Sequence, residues 1–251
     1  FPKEIFGKIV PSGTVVGPLS ASLQKELGAS SDVVVVAVGN HDTASAVAAV
    51  PSQHSDFLYI SSGTWSLLGV ENSTPIITEE ALRSGFTNEM AVSGNIRFLK
   101  NIMGMWIQQE CVRYWEQKGE TIQWKELDDE TLACESYEGY IDPDDLRFLK
   151  PNSHTSLMVD RVCDNCLELG YRKPETKGEY MVAIYRGLAH AYKKAIDHLQ
   201  EITGTSYASL HIIGGGSKNE ILNQWTADST GLPVQAGPVE ATALGNMLVQ
   251  Q

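Results

Sequence analysis

The stretch Gly39-Asn40-His41-Asp42-Thr43-Ala44-Ser45-Ala46 sets one carboxylate, flanked by an imidazole and a hydroxyl, directly after a run of valines. Further along, Ser61-Ser62-Gly63-Thr64-Trp65-Ser66 carries a glycine turn between two strand-like runs. Asp42 suits a general base that takes the proton of an attacking hydroxyl. The glycine of Gly63-Thr64 lets backbone amides approach phosphate oxygens, with the Thr64 hydroxyl as a further donor. Phosphoryl transfer to an alcohol needs little else, because its loose transition state calls for position, a proton acceptor and donors for the phosphate oxygens. Each feature also has a plain explanation: Asp commonly caps a helix, and such a Gly-Thr pair often only closes a hairpin.

Gly214-Gly215-Gly216 follows Leu210–Ile213, which reads as a buried strand. It is either loose turn chemistry or a surface without side chains, against which adenine or ribose could lie. Asn219 then caps the next helix or touches that ligand. Asn101 stands where a helix is expected to begin. Gln109 falls on that helix's apolar stripe, so it is either an internally bonded amide or a cleft residue. His54, His190 and His198 read as structural or solvated, and none has the spacing of a Ser or Asp triad. Cys163-x-x-Cys166 lacks the second ligand pair of a structural zinc site and reads as helix packing. No metal-ligating residue is assigned.

These residues need elements to position them. Ser20–Leu27 reads as a helix closed by Gly28, and Val33–Val38 as a strand buried on both faces. Ala44–Val50, ended by Pro51, is a small-residue helix that lets neighbouring backbone approach closely. Phe57–Ser62 and Trp65–Val70 pair through Gly63-Thr64, and Arg97–Lys100 is a further short strand. Asn101–Gln117 is predicted helical, with Ile102, Met105, Trp106 and Val112 on one side. Between 118 and 180 the pattern weakens, predicting irregular structure and one helix. Glu179–Thr203 is the longest predicted helix, ended by Gly204. After Leu210–Ile213 come a helix at Glu220–Ser229, a strand at Pro233–Ala236 and a helix from Val239. This alternation predicts an α/β core with a sheet covered on both sides.

With 31 acidic and 19 basic residues, the chain carries a formal charge of -12, which disfavours nucleic acid and anionic membrane surfaces as partners. No apolar run reaches the roughly 18 residues of a membrane span. Four cysteines without a secretory framework point to a reducing cytoplasm. Neither a P-loop nor a Gly-x-Gly-x-x-Gly turn is present. The Phe1-Pro2-Lys3-Glu4 opening lacks an initiator Met and the final helix has no cap, so a piece of a longer polypeptide is expected.

Four segments carry a resemblance: Asn40-His41-Asp42-Thr43-Ala44-Ser45-Ala46-Val47, Tyr59-Ile60-Ser61-Ser62-Gly63-Thr64-Trp65-Ser66-Leu67, Lys100-Asn101-Ile102-Met103-Gly104-Met105-Trp106 and Gly237-Pro238-Val239-Glu240-Ala241-Thr242-Ala243-Leu244-Gly245-Asn246. In this order they resemble the carboxy-terminal half of the FGGY carbohydrate kinases. The resemblance implies an actin-like, ribonuclease H-like ATPase domain with a mixed sheet flanked by helices. Residues 1–31 would be a connecting segment from an amino-terminal domain, and 32–251 the carboxy-terminal kinase domain, with 118–180 a less regular insertion. Asp42 would match the catalytic base, with His41, Thr43 and Asn101 on the sugar. Gly63, Thr64, Gln109, Gly215, Gly216 and Asn219 would lie on the nucleotide side. The implied reaction is transfer of the γ-phosphate of ATP, with Mg2+, to the 1-hydroxyl of a ketose, L-rhamnulose first among them. A kinase of the same fold for another ketose or polyol, and a non-catalytic actin-like nucleotide-binding module, are the alternatives. The family's first phosphate loop and most of its sugar contacts belong to the amino-terminal domain, so this chain is expected to hold the base and the adenine side of the cleft without a complete site.

Overall fold

A computed structural model describes residues 2–52, 57–92, 94–154 and 156–251; the reading of His54 falls outside them. Strand β1 (Val15–Pro18) pairs antiparallel with β2 (Val34–Val36), joined by helix α1 (Ala21–Leu27). Ser20 accepts the Leu23 amide at the start of α1, and Gly28 closes it at φ 63°. That pairing spans the boundary placed between residues 31 and 32. It also corrects the expectation of a strand buried on both faces. The β1–β2 ribbon stands apart from the main sheet, and Val34 is 47% exposed. A valine run reports strand propensity, while burial depends on what covers it.

After α2 (Asp42–Ala48) come β3 (Leu58–Ser62) and β4 (Trp65–Asn72), the expected hairpin. A short helix α3 (Glu79–Arg83) leads into β5 (Phe86–Met90) and β6 (Ile96–Met103). Helices α4 (Trp106–Gln117), α5 (Trp124–Ala133), α6 (Met158–Glu168) and α7 (Lys177–Thr203) follow. The chain ends with β7 (Leu210–Ile213), α8 (Glu220–Thr230), β8 (Val234–Ala236) and α9 (Ala241–Val249). The sheet order is β5-β6-β4-β3-β7-β8. The β3–β7 and β7–β8 pairs are parallel and the others antiparallel, which makes the sheet mixed.

The alternation of side chains along each strand divides the sheet into two faces. Leu58, Ile60, Leu68, Phe98 and Ile212 join the large core that α7 fills with Met181, Ile184, Leu188 and Leu199. A fully buried side chain of this kind contributes roughly 1.5–3 kcal/mol, so this face anchors the domain. Tyr192 of α7 and Ser66 of β4 share a hydrogen bond of 2.6 Å inside it, and burial pushes the tyrosine hydroxyl up to about 12. The opposite face carries a smaller cluster in which Tyr59 and Ile213 meet Ala46 and Val47 of α2 and Ala241 of α9.

Two further expectations change. Asn101 lies within β6, two residues from its end, so it begins no helix. The strand pairs fully with β4, and that ladder overrides the helical spacing read there. The stretch 118–180 holds α5, α6 and a 3-10 turn at Leu146–Leu149. Both helices pack on α4 or α7, so tertiary contact supplies the order that weak periodicity did not announce.

Candidate active site

Asp42 is the first residue of α2, and His41 occupies the cap position without a side-chain capping bond. The Asp42 carboxylate is therefore not the helix cap. Its Oδ1 accepts the Thr43 amide at 2.7 Å, while the side chain as a whole is 77% exposed. Behind it, Thr43, Ala44, Ser45 and Ala46 are buried, which fixes the helix that carries the carboxylate. Thr242 of α9 donates its hydroxyl to the Asp42 carbonyl at 3.3 Å.

Asp42 opens onto a cleft of about 500 Å3. Its wall is one face of the sheet. Ser61 of β3 stands opposite Leu67 of β4, which stands opposite Asn101 of β6, and all three line the cleft. His41, Thr43, Gly63, Thr64 and Gly215 line it too. The structure thus gathers seven predicted residues around one opening: His41, Asp42, Thr43, Gly63, Thr64, Asn101 and Gly215.

Gln109, Gly216 and Asn219 are not part of that lining. Gln109 lies exposed on α4, and its neighbour Gln108 takes the buried position, so the amide does not sit on the apolar stripe as expected. Two residues that defined the expected stripe lie outside the helix, Ile102 in β6 and Met105 at the cap position, and α4 instead buries Ile107, Gln108, Glu110, Cys111, Val112 and Trp115. Asn219 caps α8 by accepting the Leu222 amide at 2.8 Å. Gly216 is buried, and a Cβ there would meet Ser62 Oγ at 2.0 Å. Gly214 has φ 85°, a conformation that favours glycine, and leaves Gly215 exposed toward the cleft.

The Gly63-Thr64 turn is held more tightly than a free hairpin. The Gly63 amide donates to the Trp65 carbonyl at 2.8 Å, so it is not the open phosphate donor expected of it. The Gly63 carbonyl accepts from Met105 at 3.0 Å, and the Thr64 carbonyl from Gly104 and Trp106 at 3.1 and 3.2 Å. The turn thereby satisfies amides at the start of α4. Its remaining offer to the cleft is a bare glycine surface and the exposed Thr64.

The cleft also contains Glu89 of β5, a residue that sequence reasoning missed together with its strand. The Phe86–Met90 segment has no clean apolar alternation, so only its pairing with β6 reveals it. Cys163 and Cys166 are free thiols on α6: Cys166 is buried and Cys163 lies 2.9 Å from the Tyr180 hydroxyl. Among the described residues no group of three or more His, Cys, Asp or Glu side chains is placed to hold a metal ion, and no helix is long and apolar enough to cross a membrane.

Residues 58–251 match the family model described as the FGGY family of carbohydrate kinases, C-terminal domain. A protein named rhamnulokinase from Bacteroides thetaiotaomicron is 43% identical over 248 residues, covering 99% of this chain and 49% of that protein. One of the same name from Bacillus subtilis is 45% identical over 216 residues, covering 86% of this chain and 43% of that protein. Among solved structures, ligand-bound xylulose kinase from Lactobacillus acidophilus superposes with a TM-score of 0.69 at 16% identity, over 99% of this chain and 49% of that one. Plasmodium falciparum glycerol kinase with ADP gives 0.63 at 13% identity, over 95% and 46%. At such identities the structures bear on the fold, which is the actin-like ATPase fold. The chain spans about half the length of the curated relatives it matches.

Proposed function

Because this chain belongs to the FGGY family of carbohydrate kinases, we propose that it is the carboxy-terminal half of an ATP-dependent ketose kinase acting on L-rhamnulose. The observation that carries this reading is the exposed Asp42 carboxylate in one cleft with Thr64 and Gly215. The name borne by relatives at 43% and 45% identity supports the choice of sugar.

In this reading Asp42 accepts the proton of the ketose 1-hydroxyl as its oxygen bonds to the γ-phosphorus. The bond from that phosphorus to the β–γ bridging oxygen breaks, and ADP leaves with the electron pair. His41, Thr43 and Asn101 hold the sugar. Thr64 and Gly215 face the nucleotide, with Gly63, Gly216 and Asn219 shaping the backbone around them; Gln109 lies exposed on α4 outside the cleft lining and is the weakest of the nucleotide-side assignments. The Mg2+ implied by the resemblance would travel with the triphosphate. The described residues bring no three ligands together for it, and no step here runs through it. An amino-terminal domain outside this chain supplies the rest of the sugar site, and closure over the substrate excludes water. Four free cysteines support a reducing, cytoplasmic setting.

The test is turnover by the full-length protein on a ketose panel with ATP. L-rhamnulose should be the preferred acceptor. Preference for another ketose would reject the sugar assignment, and ATP binding without transfer to any acceptor would favour a non-catalytic module.

A further inference from the structure

Glu89 and Arg97 form a cross-strand pair on β5 and β6, and Glu71 of β4 stands on the other side of Arg97 in the same row. Arg97 is 1% exposed. Its Nη2 donates to Glu89 Oε2 at 2.7 Å, and its Nε to the Met90 carbonyl at 3.3 Å. Nη1 has no partner among the described residues. Removing a guanidinium from water is costly, and a buried pair with an unmet donor is a poor way to stabilise a sheet. The arrangement makes sense as a device that fixes where the Glu89 carboxylate points.

It points at His41. Glu89 is 32% exposed, and its Oε2 lies 3.7 Å from His41 Nδ1, the same distance as Asp42 Oδ1. Two carboxylates thus converge on one ring nitrogen, and both line the cleft. The proton of a neutral imidazole resides on the nitrogen that faces an acceptor, which leaves the other nitrogen as the acceptor.

We propose that Glu89, held by Arg97, is a positioning residue that keeps the His41 proton on Nδ1 and so presents Nε2 as an acceptor for a hydroxyl of the sugar. The inference rests on reading the cleft as a ketose-kinase site. Glu89 acts through His41 and touches no reacting atom. No sequence motif singles it out.

The tautomer of His41 in full-length protein, read from 15N shifts of labelled histidine and assigned by the signal lost in His41→Gln, tests this without reference to turnover. The Nδ1–H form is expected in the wild type, and Glu89→Gln should shift the balance toward Nε2–H. A wild-type Nε2–H form overturns the proposal, and this holds even where Glu89→Gln fails to fold. In kinetics, Glu89→Gln should lower kcat/KM for the ketose about tenfold with the KM for ATP unchanged. In a His41→Gln background the same change should cost nothing further. Multiplicative losses in the double variant would mean that Glu89 meets the sugar itself and would also overturn the proposal. Wild-type protein that turns over no ketose would reject the kinase reading while leaving the tautomer result legible.

Discussion

Gly245 of α9 lies so close to Ser45 of α2 that a Cβ at Gly245 would stand 1.7 Å from the Ser45 carbonyl oxygen. The two short helices cross backbone to backbone, and α2 is the helix that carries Asp42. Ala44, Ala46 and Ala49 of α2 or its C-cap are buried in the same region. The small-residue stretch is therefore part of how the carboxylate is placed.

Gly245→Ala should push α9 away from α2, since the obstacle is backbone and cannot rotate aside. Overpacking of this sort costs about 1–3 kcal/mol. A displacement of Asp42 by about 1 Å would in addition lower turnover by roughly 10²-fold. Thermal unfolding and kcat of full-length protein check this, and an unchanged kcat would separate the helix contact from the site.

Gly216→Ala acts on the other wall. The added methyl would meet Ser62 Oγ at 2.0 Å and Ser62 Cβ at 2.7 Å, forcing the turn at Gly214–Gly216 away from the β3–β4 hairpin. On the proposed function the KM for ATP should rise, about tenfold for a perturbation of roughly 1.4 kcal/mol, while that for the ketose stays near the wild-type value. Equal changes in both would show that the turn does not serve the nucleotide.

His211 of β7 is buried beside Phe57, its ring edge-on at 5.3 Å, and burial lowers its pKa. The unfolded chain therefore binds more protons than the folded one at mildly acidic pH, and stability rises with pH there. The contribution is complete above the unfolded value of about 6.5 and is lost as pH falls below it. His190 is also lowered by burial, with Arg186 adding to the effect, and it acts with the same sign. The unfolding temperature should fall between about pH 7.5 and about pH 5.5, and His211→Gln should flatten part of that slope. An unchanged slope in the variant would remove His211 as a source.

The β3–β4 hairpin, α7 with its Gly204 cap, and the β7-to-α9 succession were legible because periodicity and turn residues agreed there, although α7 begins at Lys177, two residues before the expected start. Asp42, Thr64 and Gly215 could be named as candidates because a carboxylate after a strand and glycine-bearing turns stand at strand ends, and the structure places all three on one cleft. The identity of β5, the strand character of Asn101 and the exposure of β2 depend on which strand or helix lies alongside, and no local pattern reports that. Glu89 was missed for this reason, since its significance arises only when Arg97 and His41 come beside it. Gln109 was misplaced because its stripe was read from Ile102 and Met105, which precede the helix, while the face that α4 buries is set by Ile107, Cys111 and Trp115.

The central claim is that the carboxylate of Asp42 takes the proton of a sugar hydroxyl. Asp42→Asn in full-length protein, with turnover and ligand binding measured side by side, tests it most directly. A fall in kcat of about 10²- to 10⁴-fold with ATP and ketose still bound is the predicted result. Transfer at the wild-type rate would contradict it.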